Sequence, residues 1–323
     1  MPSISVAIPV LNEEDTIPEL LRRIVALDGR HDLRLAEVLF IDDGSHDRTF
    51  DILRTAALKD PRIKIISFSR NFGHQIAVSA AFDHAQGDAV VVIDGDLQDP
   101  PEFIPALVAK WQEGNDIVYA VRKKRKEGVA KRTIAALFYR LLRMIAEVDI
   151  PLDTGDFALL DRKVVEVMKR MPERSRYLRG LRAWSGFRSI GIEYDRNARA
   201  AGESKYTLKK MIDLAASGII GFSTVPLRIA TYIGMFMALA SVLGGMFVFF
   251  QWLIGWPGLV RGWASLMIGF FFVSGVQLFI LGVMGEYIGR IYREVQARPL
   301  YIIGKKIGFD EEDTVQRRDD HRR

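Results

Sequence analysis

Apolar positions divide the chain into two stretches with different rhythms. Over roughly the first third, short apolar runs alternate with amphipathic ones. Residues 4–9, 38–41, 63–68, 90–93 and 117–120 are brief, rich in β-branched side chains and bounded by turn formers. That is the pattern of buried strands. Between them, Ile17, Leu20, Leu21 and Ile24 repeat at i, i+3, i+4 and i+7, which predicts one face of a helix after the turn at Asn12. Asp47 caps a second helix carrying Phe50, Leu53 and Ala57; a third runs over residues 75–85 and stops at Gly87; a fourth covers 101–111. Nearly continuous apolar strands alternating with helices predict an α/β domain with a mostly parallel, doubly wound sheet. Further on, residues 157–160 read as a strand or a helix, 184–187 as a loop and 190–194 as a strand.

The second rhythm is longer. Residues 229–254 and 263–285 contain no charged side chain. Each exceeds the roughly 20 apolar residues that cross a bilayer core. Trp252, Trp256 and Trp263 cluster near the short link between them, as in an aromatic belt. This predicts a transmembrane hairpin at 227–290, after a catalytic-sized domain at 1–226 and before a tail at 291–323. Two amphipathic stretches precede the hairpin. Ile134, Leu137, Phe138, Leu141, Leu142 and Ile145 mark one face of residues 131–146, bordered by Lys131, Arg132, Arg140 and Arg143. Leu208, Met211, Ile212, Ala215, Ile219 and Phe222 do the same over 207–222, with Lys209 and Lys210 opposite. A basic amphipathic helix suits a membrane surface, though the same pattern also covers ordinary cores. With a hairpin in the chain, the interfacial reading is the one expected.

Charge orients the whole. The net charge of +5 is modest, but the link 255–262 holds one cation, Arg261. The flanks hold Lys205, Lys209, Lys210 and Arg228 on one side, and Arg290, Arg293, Arg298, Lys305 and Lys306 on the other. The excess of positive charge on the flanks puts both termini and the α/β domain in the cytoplasm, against the inner or plasma membrane. The opening Met-Pro-Ser-Ile-Ser runs into a strand and reads as neither a signal nor a transit peptide. Residues 310–323 are charged, lack periodicity and read as a disordered tail. The chain has no cysteine, which excludes disulfides, thiolate metal sites and a cysteine nucleophile; its five histidines form no zinc pattern. No nucleic-acid partner is expected.

Candidate chemistry gathers where the strands stop. Asn12-Glu13, Asp42-Asp43 and Asp94-Gly-Asp96 each follow a strand. Parallel strands share a direction, so these groups face one edge, where open α/β sheets bind ligands. On its own, Asp94-Gly-Asp96 is also a common Asx turn. Convergence with the other strand ends favours a site for Mg²⁺ or Mn²⁺, which bind through one or two carboxylates and substrate phosphates. Neither G-x-G-x-x-G after the first strand nor a P-loop is present, so dinucleotide and P-loop chemistry lose support. Asp153-Thr-Gly-Asp156-Phe157 offers a carboxylate in a glycine turn, either structural or a base or orienting group. Arg199-Ala-Ala-Gly-Glu-Ser-Lys205-Tyr206 is a loop whose cations could close on a diphosphate, or an ordinary surface loop.

The ordered set of Ser5-Val-Ala-Ile-Pro-Val-Leu-Asn-Glu-Glu14, Ile41-Asp-Asp-Gly-Ser45, Ser69-Arg-Asn-Phe-Gly73 and Asp94-Gly-Asp-Leu-Gln-Asp-Pro-Pro-Glu102 resembles family 2 glycosyltransferases of the GT-A (Rossmann-like) fold. The motifs at 153–157, 199–206 and 286–301, with the hairpin, resemble the polyisoprenyl-phosphate subgroup, which includes dolichyl-phosphate mannose synthase and bacterial bactoprenol glucosyltransferases. The resemblance runs to about Gly304. It implies a nucleotide-diphospho-sugar donor, a divalent metal (Mg²⁺ or Mn²⁺), a polyprenyl phosphate acceptor and a homo-oligomer. Carried over by motif, Pro9, Leu11, Glu13, Ile41 and Asp43 line the base and ribose pocket, and Asp94 contacts the nucleotide side. Asp96 and Gln98, with Asp94, bind the metal. Asp156 sits at the acceptor, Arg122 and Arg132 hold the lipid phosphate, and Arg199 and Lys205 close on the donor diphosphate.

The implied reaction is an inverting single displacement, with glucose from UDP-glucose as the first expectation. Mannose from GDP-mannose or another UDP-sugar is the alternative. A glycan-extending synthase would need more membrane helices and a Q-x-x-R-W motif. A non-catalytic sugar-binding subunit would have no need of intact Asp96, Gln98 and Asp156.

Overall fold

In the computed structural model, residues 2–29, 33–122, 154–174, 176–195, 225–254 and 262–309 are described. They fall into two compact units, one holding residues up to 195 together with 298–309, the other 225–297. The amphipathic stretches 131–146 and 207–222, and the tail 310–323, lie outside the described residues.

The first unit is built on an eight-stranded sheet among the described residues, in the order β7-β5-β6-β4-β1-β2-β3-β8. Its strands are β1 (Ser3–Val10), β2 (Arg34–Asp42), β3 (Ile63–Phe68), β4 (Ala89–Val92), β5 (Ile117–Arg122), β6 (Thr154–Asp161), β7 (Ser189–Tyr194) and β8 (Ile303–Ile307). β1 pairs in parallel with β2 and β4, β2 with β3, and β5 with β7. β6 is antiparallel to both β4 and β5, and β8 is antiparallel to β3. The five strands expected from the apolar runs are all present, and the GT-A sheet is mostly parallel as expected.

Helices α1 (Ile17–Val25), α2 (Thr49–Ala57), α3 (His74–His84) and α4 (Ile104–Gln112) form the crossovers. α1 buries Ile17, Leu20, Leu21 and Ile24, the four positions of its apolar stripe. Each such side chain contributes about 1.5–3 kcal/mol on leaving water. Asp47 fastens the start of α2, its carboxylate accepting the Thr49 N–H at 3.0 Å and the Glu14 N–H at 3.2 Å. Two helices escape the apolar-pattern reading. α5 (Arg162–Arg170) starts on an Asp161 cap whose carboxylate accepts the Lys163 N–H at 2.9 Å, and buries Val164, Val165 and Met168. α6 (Leu178–Trp184) is too short to show a full period.

Residues 298–309 differ from a plain tail. β8 closes the edge of β3, Tyr301 stacks on Phe68 with ring centroids 5.0 Å apart, and its hydroxyl donates to Asp83 at 2.9 Å.

The second unit holds α7 (Val225–Leu253) and α8 (Trp263–Val295). Both are long and apolar enough to cross a membrane, with mean hydropathy 2.2 over 227–251 and 1.6 over 269–295. Large apolar side chains such as Phe236, Leu239, Phe271 and Leu278 point outward, an exposure that suits lipid rather than water. α8 continues beyond Gly285, where the uncharged run ends, through Glu286 and Arg293.

Candidate active site

Strand direction assembles the site. The C-terminal ends of β1, β2, β4, β5 and β7 share one edge. Because β6 runs the other way, its beginning lies at that edge too. Val92 pairs with Ala158, so going two residues on from Val92 and two back from Ala158 brings Asp94 and Asp156 to neighbouring positions. Val121 pairs with Thr154 and Arg122 with Tyr194 at the same rim.

The loops after β1 and β2 are stitched together. Asn12, at φ 55°, accepts the His46 N–H at 2.8 Å, and the Asn12 and Glu13 N–H groups donate to Ser45 and Thr49 hydroxyls at 3.0 and 2.9 Å. Asp43 holds the loop before α3, accepting N–H groups from Phe72 at 2.7 Å and Gly73 at 3.0 Å. Burial raises the Asp43 carboxyl above its ordinary value against those two bonds. Of the five residues expected around a base and ribose, Leu11 and Glu13 offer accessible surface. Pro9, Ile41 and Asp43 are buried, Ile41 completely.

The turn after β4 carries three oxygen donors in five residues. Asp96 Oδ1 accepts the Gln98 N–H at 3.1 Å, an Asx turn. Leu97 sits at φ 60°, a left-handed conformation that costs a leucine energy and recurs at functional sites. Gly95 packs so closely that a Cβ there would lie 2.9 Å from Val10 Cγ1. Asp99 anchors the far end of the turn by accepting from the Tyr194 hydroxyl. Burial pushes the Asp94 carboxyl up to about 6; His74 opposes this, and the charges of Asp156, Asp99 and Asp96 add to it. Among the described residues no group of three His, Asp or Glu side chains could hold an ion unaided. The donor set Asp94, Asp96 and Gln98, in a pocket of crowded negative charge, nevertheless fits a hard cation that completes its shell with substrate phosphates.

Asp156 is gripped from two sides. Arg179 of α6 donates through Nε to Oδ1 at 2.8 Å and through Nη2 to Oδ2 at 3.4 Å. From the start of α3, His74 Nε2 lies 3.0 Å from Oδ2 and Gln75 Nε2 donates to it at 3.2 Å. Gln75 Oε1 accepts the Leu178 N–H at 2.9 Å, tying α3 to α6. Burial alone would raise the Asp156 carboxyl, but the His74 hydrogen bond and the Arg179 guanidinium outweigh it and hold it well below the usual carboxylate range. His74 Nε2 is also 3.7 Å from Asp94 Oδ1. Burial disfavours its charged form, yet Asp156 and Asp94 together raise its pKa.

Arg122 ends β5 at the expected rim. Its guanidinium lies beside Gly155. Arg132, Arg199 and Lys205 lie outside the described residues. His74, Gln75, Arg179 and Arg182 were absent from the expected site. The signal was faint: arginines three apart beside Leu178 and Leu181, and a histidine opening a helix after Gly73.

One chain thus combines a Rossmann-like sheet whose acids converge on one edge with two helices of membrane length. The chain belongs to glycosyl transferase family 2, whose pattern it matches over residues 5–168. Residues 225–291 match the GtrB C-terminal hairpin. The chain is 50% identical to the uncharacterized glycosyltransferase YkcC of Bacillus subtilis, over 95% of this chain and 94% of that one. It is 46% identical to the bactoprenol glucosyl transferase of Shigella phage SfII, over 94% and 97% of the two chains. Among solved structures, glucosyl-3-phosphoglycerate synthase from Mycobacterium tuberculosis covers 68% of this chain and 76% of its own at 23% identity, with a TM-score of 0.44.

Proposed function

We propose that the protein transfers one glucosyl group from UDP-glucose to a polyprenyl phosphate of the bactoprenol type, at the cytoplasmic face of the membrane. The observation that carries this reading is the union, in one chain, of the Asp94–Asp156 edge with two helices of membrane length. A lipid acceptor gives such a sheet a reason to be tethered. The name of the phage relative, a bactoprenol glucosyl transferase, supports both sugar and acceptor.

In this reading a phosphate oxygen of the lipid attacks the anomeric carbon of glucose, the bond from that carbon to UDP breaks, and UDP leaves with the electron pair. The configuration inverts. Mg²⁺ or Mn²⁺ held by Asp94, Asp96 and Gln98 would offset the charge developing on the leaving diphosphate. Leu11 and Glu13 flank the nucleoside, while Pro9, Ile41 and Asp43 support the pocket from beneath. Arg199 and Lys205 close on the diphosphate, and Arg122 and Arg132 face the acceptor phosphate. A phosphate monoester has a second pKa near ~6, so the attacking group is mostly dianionic at neutral pH and needs little help from a base. Asp156 therefore serves orientation.

Membranes containing the protein, given labelled UDP-glucose and undecaprenyl phosphate, should yield a labelled product that extracts into organic solvent. GDP-mannose should yield none. Label in a polymer, label from GDP-mannose alone, or no transfer at all would overturn the reading.

A further inference from the structure

Arg179 is the guanidinium that meets Asp156 most directly, and it does not spend all its donors there. Arginine has five N–H groups. Two point at Asp156, one from Nε and one from Nη2, which leaves both on Nη1 and one on Nη2. Its side chain is 29% exposed whereas that of Asp156 is 10% exposed, so the arginine is the more accessible partner. Behind the pair stands Arg182, buried, with its Nη2 lacking a hydrogen-bond partner among the described residues. Asp156, Arg179 and Arg182 line one cavity of about 20 Å³, room for a single water and not for a phosphate. Two guanidiniums, Arg179 and Arg182, thus line the same small cavity as Asp156, with His74 and Asp94 in the same charge network. Of the two, Arg179 is the one with accessible surface.

We propose that Arg179 binds the acceptor phosphate directly, and that Asp156 is a positioning residue that acts through it. A carboxylate alone would repel a dianionic phosphate. A carboxylate that fixes the plane of an arginine presents the remaining N–H groups as a preorganised fork, the geometry that suits phosphate. His74 and Gln75 complete the arrangement by holding Asp156 from α3, so the fork cannot swing with its counter-ion. The assignment rests on the reading of the acceptor as a lipid phosphate.

The test separates binding from transfer. Full-length protein in detergent micelles is titrated with undecaprenyl phosphate in the absence of donor, and steady-state transfer is measured in parallel. Arg179→Gln should weaken lipid phosphate binding and raise the acceptor KM at least tenfold. Arg179→Lys should fall between it and the parent, since an ammonium keeps the charge and loses the fork. Affinity for UDP and the thermal midpoint should stay near those of the parent in both, which a merely structural role would not allow. Asp156→Asn combined with Arg179→Gln should lose no more transfer than Arg179→Gln alone. Losses that multiply in the double variant would show Asp156 acting independently and overturn the proposal. So would Arg179→Gln that binds and uses the lipid as the parent does. A parent protein that fails to bind undecaprenyl phosphate would overturn the acceptor reading itself, whatever the variants do.

Discussion

Asp156 illustrates how a residue's surroundings restrict its chemistry. A general base is most effective with a pKa near the working pH. The bonds from His74 and Arg179 pull this carboxyl far the other way. A depressed pKa leaves the group ionised throughout the range in which the protein works, and it sheds its charge only in strong acid. Asp156 should therefore contribute no acid limb to the rate profile, and the loss in Asp156→Asn should be constant from about pH 6 to pH 9. Transfer assays across that range would check this; recovery of the variant as pH rises would indicate proton removal after all. Asp96, proposed as a metal ligand, carries a different expectation. Its replacement by alanine should cost roughly a hundredfold or more in transfer, the scale of losing one preorganised electrostatic contact. Parent activity should vanish with excess EDTA and return with Mn²⁺ or Mg²⁺, and Asp96→Ala that keeps full transfer in EDTA would exclude the metal role.

Elements decide which residues meet. The acids at the strand ends were legible because each follows a strand and parallel strands end together. Asp94 and Asp96 could be placed from local pattern alone. Asp156 was recognisable only by motif, because its meeting with Asp94 depends on β6 running antiparallel between β4 and β5. No local signal records that choice. The short α6 has too few residues for a periodic stripe, so Arg179 and Arg182 could not be aimed. Pro9 and Ile41 fit the motif and are buried, as the last apolar residues of strands in a core sheet are. Among the turns, Gly44 is the most constrained: at φ 76°, a Cβ there would lie 2.7 Å from the Arg70 carbonyl carbon and 2.8 Å from the Asn71 nitrogen. Gly44→Ala should destabilise the domain by on the order of 1–3 kcal/mol, visible as an earlier denaturant midpoint. β8 was missed because Ile303–Ile307 is short and holds two lysines. Ending the chain after Pro299 removes it and bares the edge of β3. The truncated protein should aggregate in detergent while the parent stays monodisperse by light scattering, as unpaired edges promote association.

At the scale of the molecule, the hairpin was the most legible feature, because length and absence of charge are enough to mark it. Its orientation rests on lysine and arginine placement, which can be tested cleanly because the chain has no cysteine of its own. A cysteine introduced in the link at 255–261 should react with a membrane-impermeant thiol reagent applied to intact cells. One at Leu58, 80% exposed on the first unit, should react only after the cells are opened. Labelling in the reverse order would invert the topology.

The strand β8 sets an order of events in the life of each molecule. β3 leaves the ribosome well before the strand that covers its edge, with both membrane-length helices between them. At about 5–20 residues per second, the edge waits on the order of ten seconds or more for its cover. A copy whose hairpin stalls on the way into the membrane would therefore carry an unfinished sheet, a visible mark by which proteases and chaperones could tell failed insertion from success.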